Sequence, residues 1–157
     1  MKVARVTLSD RASAGIYEDR SGPEIERVWT EHGGGTAEWE RVLIADDRAA
    51  IESTLRRLCD AASCDLILTT GGTGPAPRDV TPEATRAVLE RELPGFGEIM
   101  RVQSFAKVPT AILSRATAGT RGRTLIVNLP GNPRAIGECL PLLLPAIREA
   151  LRHLRGE

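Results

Sequence analysis

The segment 65–85, DLILTTGGTGPAPRDVTPEAT, is the part of the sequence that decides the fold. It begins with a short apolar run, DLILT, of the kind found in buried parallel strands. Glycines and prolines then follow, which predicts a loop. Thr81 is expected to cap a helix that has Pro82 in its first position and Glu83 in its first turn. A buried strand, a loop and a helix in this order form the repeating unit of an α/β domain.

The same alternation of strands and helices runs along the rest of the chain. Further strands are predicted at 3–9, 36–44, 110–114 and 124–130, with a loop at 10–22 after the first. Further helices are predicted at 23–34, 47–63, 94–108 and 133–154. Asp46 or Asp47 is expected to cap the second of these, and Pro141 and Pro145 to kink or split the last. The pattern predicts an α/β fold, a single three-layer domain over residues 1–157 with a mostly parallel sheet flanked by helices.

The composition is that of an ordinary globular protein, with 41% hydrophobic and 27% charged residues. No apolar run approaches the roughly 18 to 20 residues that a membrane span needs, and the N-terminus lacks the features of a signal peptide. A formal net charge of zero argues against a broad basic surface for nucleic acid, but it is compatible with a small anionic ligand. We therefore expect a cytoplasmic protein with no nucleic-acid partner and no membrane partner.

The cysteines and histidines do not indicate a catalytic or metal centre. Cys59, Cys64 and Cys139 are odd in number and lack CxxC spacing, so buried, reduced thiols are expected. His32 and His153 are far apart in the sequence, which disfavours a Ser-His-Asp or Cys-His mechanism.

Four loops are expected to meet at one edge of the sheet, because ligands of such sheets bind outside the carboxyl ends of the strands. The loops are SDRASAG, Ala45-Asp46, the Gly-rich segment and LPGNP. Glycines 71, 72 and 74 would let backbone N–H groups approach an anion. The Gly-rich segment lacks the GK[ST] of a nucleotide P-loop and the GxGxxG dinucleotide fingerprint, so a tight turn without a ligand is an equal alternative.

Asp46 and Asp79 are the more pointed features, because each follows a predicted strand end and lies near a helix start. One interpretation makes them helix caps or loop carboxylates. The other makes them a pair of oxygen ligands for Mg²⁺, which commonly takes one or two carboxylates together with substrate phosphates and water. Asp10 and Asp19, in the first loop, are weaker candidates of the same kind.

Two further segments offer polar groups near predicted strand ends. Ser114 and Arg115 supply a hydroxyl and a guanidinium, although an ordinary surface turn is the simpler alternative. LPGNP would bring backbone amides and Asn132 towards a ligand, or would be no more than a turn before the last helix.

The Gly-rich segment TTGGTGPAPRDVTPEAT closely resembles the signature loop of the MogA/MoaB family, the molybdopterin adenylyltransferases of molybdenum cofactor biosynthesis. The resemblance continues in SDRASAGIYEDRSGP, PGFGEIMR, PTAILSRATAGTRG and LIVNLPGNPRAI, and covers nearly the whole chain. It implies the fold of the molybdenum cofactor biosynthesis proteins, usually as a homotrimer. It also implies a Mg²⁺-dependent reaction in which the phosphate of molybdopterin attacks the α-phosphate of ATP and pyrophosphate leaves. The adenylylated product would pass to a molybdate-inserting enzyme.

The resemblance also implies roles for particular residues. Asp46 and Asp79 match the two essential carboxylates of the family, which we assign to Mg²⁺ and to phosphate positioning. The implied substrate-binding residues are Ser9, Asp10, Gly71, Gly72, Thr73, Gly74, Ser114, Arg115, Asn128, Pro130, Gly131 and Asn132. Many members of the family have proline before the first aspartate, where this chain has Ala45, but the aspartate itself is present.

Two other hypotheses stay open at this point. One is a non-catalytic molybdopterin-binding protein or carrier with the same fold, since the short members of the MoaB type resemble this chain in length. The other is a molybdate-inserting enzyme, which is less favoured because such proteins usually carry extra domains.

Overall fold

A computed structural model describes residues 1–157. The six strands are β1 (Lys2–Leu8), β2 (Glu38–Ile44), β3 (Leu66–Thr70), β4 (Arg91–Glu92), β5 (Ala118–Arg121) and β6 (Thr124–Leu129). The six α-helices are α1 (Asp10–Ser13), α2 (Ser21–Glu31), α3 (Arg48–Arg56), α4 (Thr81–Val88), α5 (Gly95–Phe105) and α6 (Pro133–Arg155). A π-helical turn, Arg57–Ala61, continues α3, and a 3₁₀ helix, Pro109–Leu113, follows α5.

The strands form one six-stranded sheet in the order β2-β1-β3-β6-β5-β4. The pairs β1 with β2, β1 with β3 and β3 with β6 are parallel, whereas β5 and β4 run antiparallel to their neighbours. The predicted mostly parallel sheet is confirmed. The carboxyl ends of β1, β2, β3 and β6 therefore lie at one edge, where the four suspected loops begin.

Two apolar layers enclose the sheet, and alternate residues of each strand enter them. Leu66 and Leu68 of β3 join a cluster of 20 buried residues beneath α2, α5 and α6. Ile67, between them, joins a cluster of 11 residues on the side of α3 and α4. β6 divides in the same way, with Ile126 alone on the second side. This alternation explains the three layers, because helices must cover both faces of a parallel sheet.

The helix starts agree only in part with expectation. Asp47, rather than Asp46, caps α3, because its Oδ2 accepts a 2.8 Å hydrogen bond from the backbone N of Ala50. The cap predicted at Thr81 is wrong: Thr81 is the first residue of α4, and its hydroxyl donates a 2.9 Å hydrogen bond to the carbonyl of Gly71. Thr81 thus holds the Gly-rich loop instead of the helix end.

Several predicted elements differ from the structure. The strand predicted at 110–114 is a 3₁₀ helix, held by local bonds from Ala111 N to Val108 O and from Ser114 N to Ala111 O. The short strands β4 and β5 were not predicted, and the loop expected at 10–22 contains α1. α6 runs unbroken through Pro141 and Pro145. Its apolar face is buried on both sides of the prolines, and this packing outweighs the two missing N–H donors.

None of the helices combines the length and the apolar character that a membrane crossing requires.

Candidate active site

A cavity of about 740 Å³ opens at the carboxyl edge of the parallel strands. Residues from the loops after β1, β2, β3 and β6 line it, together with the start of α2. The structure thus brings the four suspected loops together at one cavity. Six of the predicted site residues lie in its wall: Ser9, Asp10, Asp46, Gly71, Gly72 and Gly131.

Asp10 and Asp46 are joined by a reciprocal pair of hydrogen bonds. The backbone N of Asp10 donates to Asp46 Oδ2 at 3.0 Å, and the backbone N of Asp46 donates to Asp10 Oδ1 at 3.0 Å. This arrangement fixes the ends of β1 and β2 to one another. It leaves Asp46 Oδ1 buried without any hydrogen-bond partner, the sole such side-chain oxygen or nitrogen in the protein.

The surroundings shift the pKa values of Asp46 and Asp10 in opposite directions. Burial raises the pKa of Asp46, and the charges of Asp10 and Asp79 raise it further. Hydrogen bonds from Arg78 lower the pKa of Asp10, since the guanidinium donates to both of its oxygens at 2.9 and 2.8 Å. Asp46 therefore has no positively charged partner, whereas Asp10 is paired with Arg78.

The Gly-rich loop passes directly over Asp46. Gly71 and Gly72 have φ of 97° and 64°, in the left-handed region that favours glycine. A Cβ added at Gly72 would lie 3.0 Å from Asp46 Oδ1, so a side chain here would crowd the unpartnered oxygen. The close backbone approach that the glycines permit is directed at this carboxylate.

Asp79 lies further along the same loop and is half-buried. Its Oδ2 accepts a 3.1 Å hydrogen bond from the backbone N of Ala76, and a Cβ at Gly74 would come within 2.8 Å of this atom. Asp79 does not line the cavity, but its charge acts on Asp46 across the loop. Of the two carboxylates that the sequence suggests as a pair, Asp46 lies in the cavity wall and Asp79 lies outside it.

The loop after β6 closes another side of the cavity. The carbonyl of Pro130 accepts a 2.7 Å hydrogen bond from Thr70 Oγ1, and the carbonyl of Gly131 accepts one of 2.7 Å from Ser21 Oγ. A Cβ on Gly131 would lie 3.3 Å from the Cα of Gly71, so the two loops touch. Asn132 is exposed and caps α6, accepting from the backbone N of Arg134 at 2.9 Å.

The other predicted site residues lie outside the cavity wall. Asn128 is fully buried, and its amide donates to Thr69 Oγ1 and Thr85 Oγ1, both at 3.0 Å. Thr73, which is part of the Gly-rich loop, is buried. Ser114 and Arg115 do not line the cavity either, and Arg115 donates to the carbonyls of Gly74 and Asp79.

The first loop is held in place by a buried ion-pair network. Arg5, on β1, is 9% exposed and contacts Asp19 at 3.1 Å and Glu26 at 2.7 Å. Asp19 also accepts from Thr7 Oγ1 at 2.9 Å and from the backbone N of Gly22 at 3.0 Å. With three donors around it, Asp19 is an anchor for the loop that forms the cavity rim.

The sequence model of the family described as "probable molybdopterin binding domain" matches residues 4–149, which contain every loop of the cavity. The chain belongs to this family. The loops on which the resemblance in the sequence rests thus lie within the matched residues.

Relatives of this molybdopterin-binding family are similar over most of the chain. A molybdopterin adenylyltransferase of Helicobacter pylori is 54% identical over 142 residues, which are 90% of this chain and 81% of the relative. That of Escherichia coli K12 is 53% identical over 140 residues, 89% of this chain and 72% of the relative. The crystal structure of the molybdopterin biosynthesis enzyme MoaB of Thermus thermophilus has a TM-score of 0.90 at 44% identity, covering 99% of this chain and 97% of that one.

Sequence reasoning missed several residues of the cavity in this family member. Arg11, Tyr17 and Arg20 line it, and Arg11 lies 5.4 Å from the centre of the Tyr17 ring. The Tyr17 hydroxyl is 2.9 Å from Ser9 Oγ, which also caps α1. Neither Arg11 nor Arg20 forms an ion pair with a carboxylate, so both charges are free to meet an anion. The signal for them was the SDRASAGIYEDR segment itself, in which the prediction considered only Ser9, Asp10 and Asp19.

Proposed function

We propose that this chain is a molybdopterin adenylyltransferase, which joins the phosphate of molybdopterin to the AMP part of ATP. A bond forms between a molybdopterin phosphate oxygen and the α-phosphorus of ATP, the bond from that phosphorus to the bridging oxygen breaks, and pyrophosphate leaves. The observation that carries the proposal is the unpartnered, buried Asp46 Oδ1 in the wall of the shared cavity. The similarity to named adenylyltransferases at 53–54% identity supports it.

The charge of the cavity suits substrates that carry phosphate. Arg11 and Arg20 bring two guanidiniums without carboxylate partners to its wall, and arginine binds phosphate oxygens in a forked geometry. The tight backbone at Gly71 and Gly72 leaves the space beside Asp46 free of side chains. A volume of about 740 Å³ is within the range of pockets that hold ligands of this size.

The reaction as proposed uses Mg²⁺, and the residues present fit such an ion. A buried carboxylate oxygen without a hydrogen-bond donor is a suitable ligand atom for a hard cation. No group of three or more His, Cys, Asp or Glu side chains is arranged to hold a metal ion. Asp46 would hold Mg²⁺ with Asp79 nearby, and the phosphates of ATP and water would complete its ligands. When bound, Mg²⁺ would offset negative charge on the phosphates.

The chain's own residues would bind the two substrates and orient them by holding the loops of the cavity in place. Arg78 forms an ion pair with Asp10, which offsets part of its negative charge, while Asp10 and Asp46 hold one another through their reciprocal hydrogen bonds. Thr70 and Ser21 hold the carbonyls of Pro130 and Gly131, and so fix the loop on the opposite side. Held in this way, the two substrates would meet with little further ordering. Such positioning, together with electrostatic stabilisation, supplies most of the catalysis in phosphoryl transfer.

The proposal is tested by incubating the protein with MgATP and fresh molybdopterin and identifying the products by mass spectrometry. We expect adenylylated molybdopterin to form. EDTA should abolish its formation, and so should Asp79→Asn, because that change removes a negative charge that would help to attract Mg²⁺ beside Asp46. Asp65→Asn is a control, since Asp65 lies at the opposite end of β3, near the amino edge of the sheet. Binding of molybdopterin without AMP transfer would instead identify a non-catalytic carrier.

We also propose that copies of the chain associate as the homotrimer that the resemblance implies. Six exposed apolar side chains lie on α5, on the 3₁₀ helix and on the link between them: Ile99, Val102, Phe105, Val108, Ile112 and Leu113. Val102 is 66% exposed and Ile112 61%, which is unusual for a monomer surface and typical of an interface. A cytoplasmic location and hand-over of the product to a molybdate-inserting enzyme belong to the same proposal.

Light scattering tests the assembly. We expect a mass three times the 16.9 kDa of one chain, and a lower mass for Val102→Glu, because a charge in an apolar interface is costly to bury. Leu43→Glu is a control, since Leu43 is also exposed but lies on β2, at the other edge of the sheet. A monomer at micromolar concentration would contradict the proposed trimer.

A further inference from the structure

Arg115 stands out because its side chain is directed entirely into the Gly-rich loop. Its Nε donates to the carbonyl of Gly74 at 2.9 Å, and its Nη2 donates to the carbonyl of Asp79 at 2.7 Å. Its own backbone N donates to the carbonyl of Thr73 at 2.7 Å. One residue, some 40 positions away in the sequence, thus holds both ends of the turn 74–79.

Glu83, in the first turn of α4, holds the guanidinium in this position. Both Nη atoms of Arg115 bond its carboxylate, Nη2 at 3.4 Å to Oε2. Hydrogen bonds from Arg115 lower the pKa of Glu83, as expected for a fixed ion pair. The pair links the start of α4, the Gly-rich loop and the segment before β5 through a single planar group.

The turn that Arg115 holds contains Asp79. Within it, the backbone N of Asp79 donates to Ala76 O at 2.9 Å, and Asp79 Oδ2 accepts from Ala76 N at 3.1 Å. The position of the Asp79 carboxylate therefore depends on the shape of the turn. That shape depends on the distance between the carbonyls of Gly74 and Asp79, which one guanidinium sets.

We infer that Arg115 is a positioning residue, which acts on the reaction by holding the Gly-rich loop and Asp79 and does not touch the substrate. This inference rests on the proposed adenylyl transfer. It differs from the role that the resemblance implies, in which Ser114 and Arg115 contact the ligand. Arg115 is outside the cavity wall, its charge is matched by Glu83, and its guanidinium could reach a phosphate only by releasing the loop.

Arg115→Lys and Glu83→Gln test the inference, with Arg121→Lys as a matched control. Arg121 bonds Asp60 and the carbonyl of Val88 in the same manner, with a side chain 25% exposed against 35% for Arg115, but it lies away from the cavity. A lysine carries the charge but not the fork that spans two carbonyls.

We expect Arg115→Lys to lower kcat about 100-fold, because small displacements of a reacting group have effects of this size. KM for molybdopterin and for ATP should change less than about twofold, since the substrate contacts remain. Hydrogen exchange of the amides of Ala76 and Asp79 should become faster, because their bonds lie inside the released turn. Glu83→Gln should shift kcat and exchange in the same direction, and Arg121→Lys should change neither.

Unchanged exchange at 71–80 in Arg115→Lys would overturn the inference. So would an intact kcat with a raised KM for molybdopterin, which would identify a direct contact with the substrate. If Arg115→Lys fails to fold, Glu83→Gln provides the same two measurements. If the parent protein transfers no AMP, the proposed function fails, and the exchange measurement alone decides whether Arg115 holds the loop.

Discussion

Replacing Asp46 with asparagine is expected to lower adenylyl transfer about 100- to 1,000-fold while leaving the fold in place. An asparagine has the same size, and its oxygen can still accept the hydrogen bond from the backbone N of Asp10. What it lacks is the negative charge at the buried position where Asp46 Oδ1 has no partner. The variant therefore separates the charge of this side chain from its shape.

The same variant is expected to be at least as stable as the parent at neutral pH. Burial raises the pKa of Asp46 above its ordinary value of 3.8, so the folded state favours the protonated carboxyl. For a carboxyl with a raised pKa, this contribution to stability is fully present below 3.8 and is lost as the pH rises through the raised value. Ionised Asp46 thus opposes folding at pH 7, and asparagine removes that cost. Loss of activity without loss of stability is typical of a functional charge.

Asp47→Asn is the control for both measurements. Asp47 is the next residue, but it is exposed and caps α3, and asparagine caps a helix as well as aspartate does. Steady-state kinetics and chemical denaturation should find this variant close to the parent. Asp46→Asn with full activity, or with a free energy of unfolding several kcal/mol lower, would contradict the role given to the charge.

The fold was predicted best where the sequence pattern and the tertiary structure act together. β3 and β6 are buried on both faces, so their apolar runs are visible in the sequence. The segment 110–114 is also largely apolar, but Pro109 and local hydrogen bonds turn it into a 3₁₀ helix. β5 has only four residues, and its pairing with β6 depends on the tight connection at Gly122 and Arg123. The TRGRT segment was the available signal for that hairpin.

The site was predictable to the level of loops and less so to the level of side chains. Parallel strands place their carboxyl ends together, so the sequence could bring Asp10, Asp46 and the Gly-rich loop to one edge. The direction of a long side chain is set by partners that are distant in the sequence. Arg115 is directed towards carbonyls about 40 residues before it, and Asn128 towards two buried threonines. Neither direction follows from the residue type or its neighbours.

Replacing Gly71 with alanine is expected to lower the free energy of unfolding by about 3 kcal/mol, the second large effect. Gly71 has φ of 97°, which costs any L-residue about 1 to 2 kcal/mol. Its Cβ would also overlap the carbonyl oxygen of Leu8, a backbone atom of the central strand β1 that cannot move away easily. Gly71 lines the cavity and its carbonyl accepts from Thr81, so the displaced loop should lower activity as well.

Gly15→Ala separates the two causes of that loss. Gly15 has φ of 73°, but a Cβ there would meet nothing within 4 Å. Only the conformational cost of about 1 kcal/mol should remain, and denaturant titration of both variants measures the difference. A similar loss for the two would mean that β1 yields to the added methyl group. A clearly larger loss at Gly71 would show that steric contact fixes the Gly-rich loop against the sheet. Such a fixed loop is required to keep the Asp46 carboxylate beside it in one position.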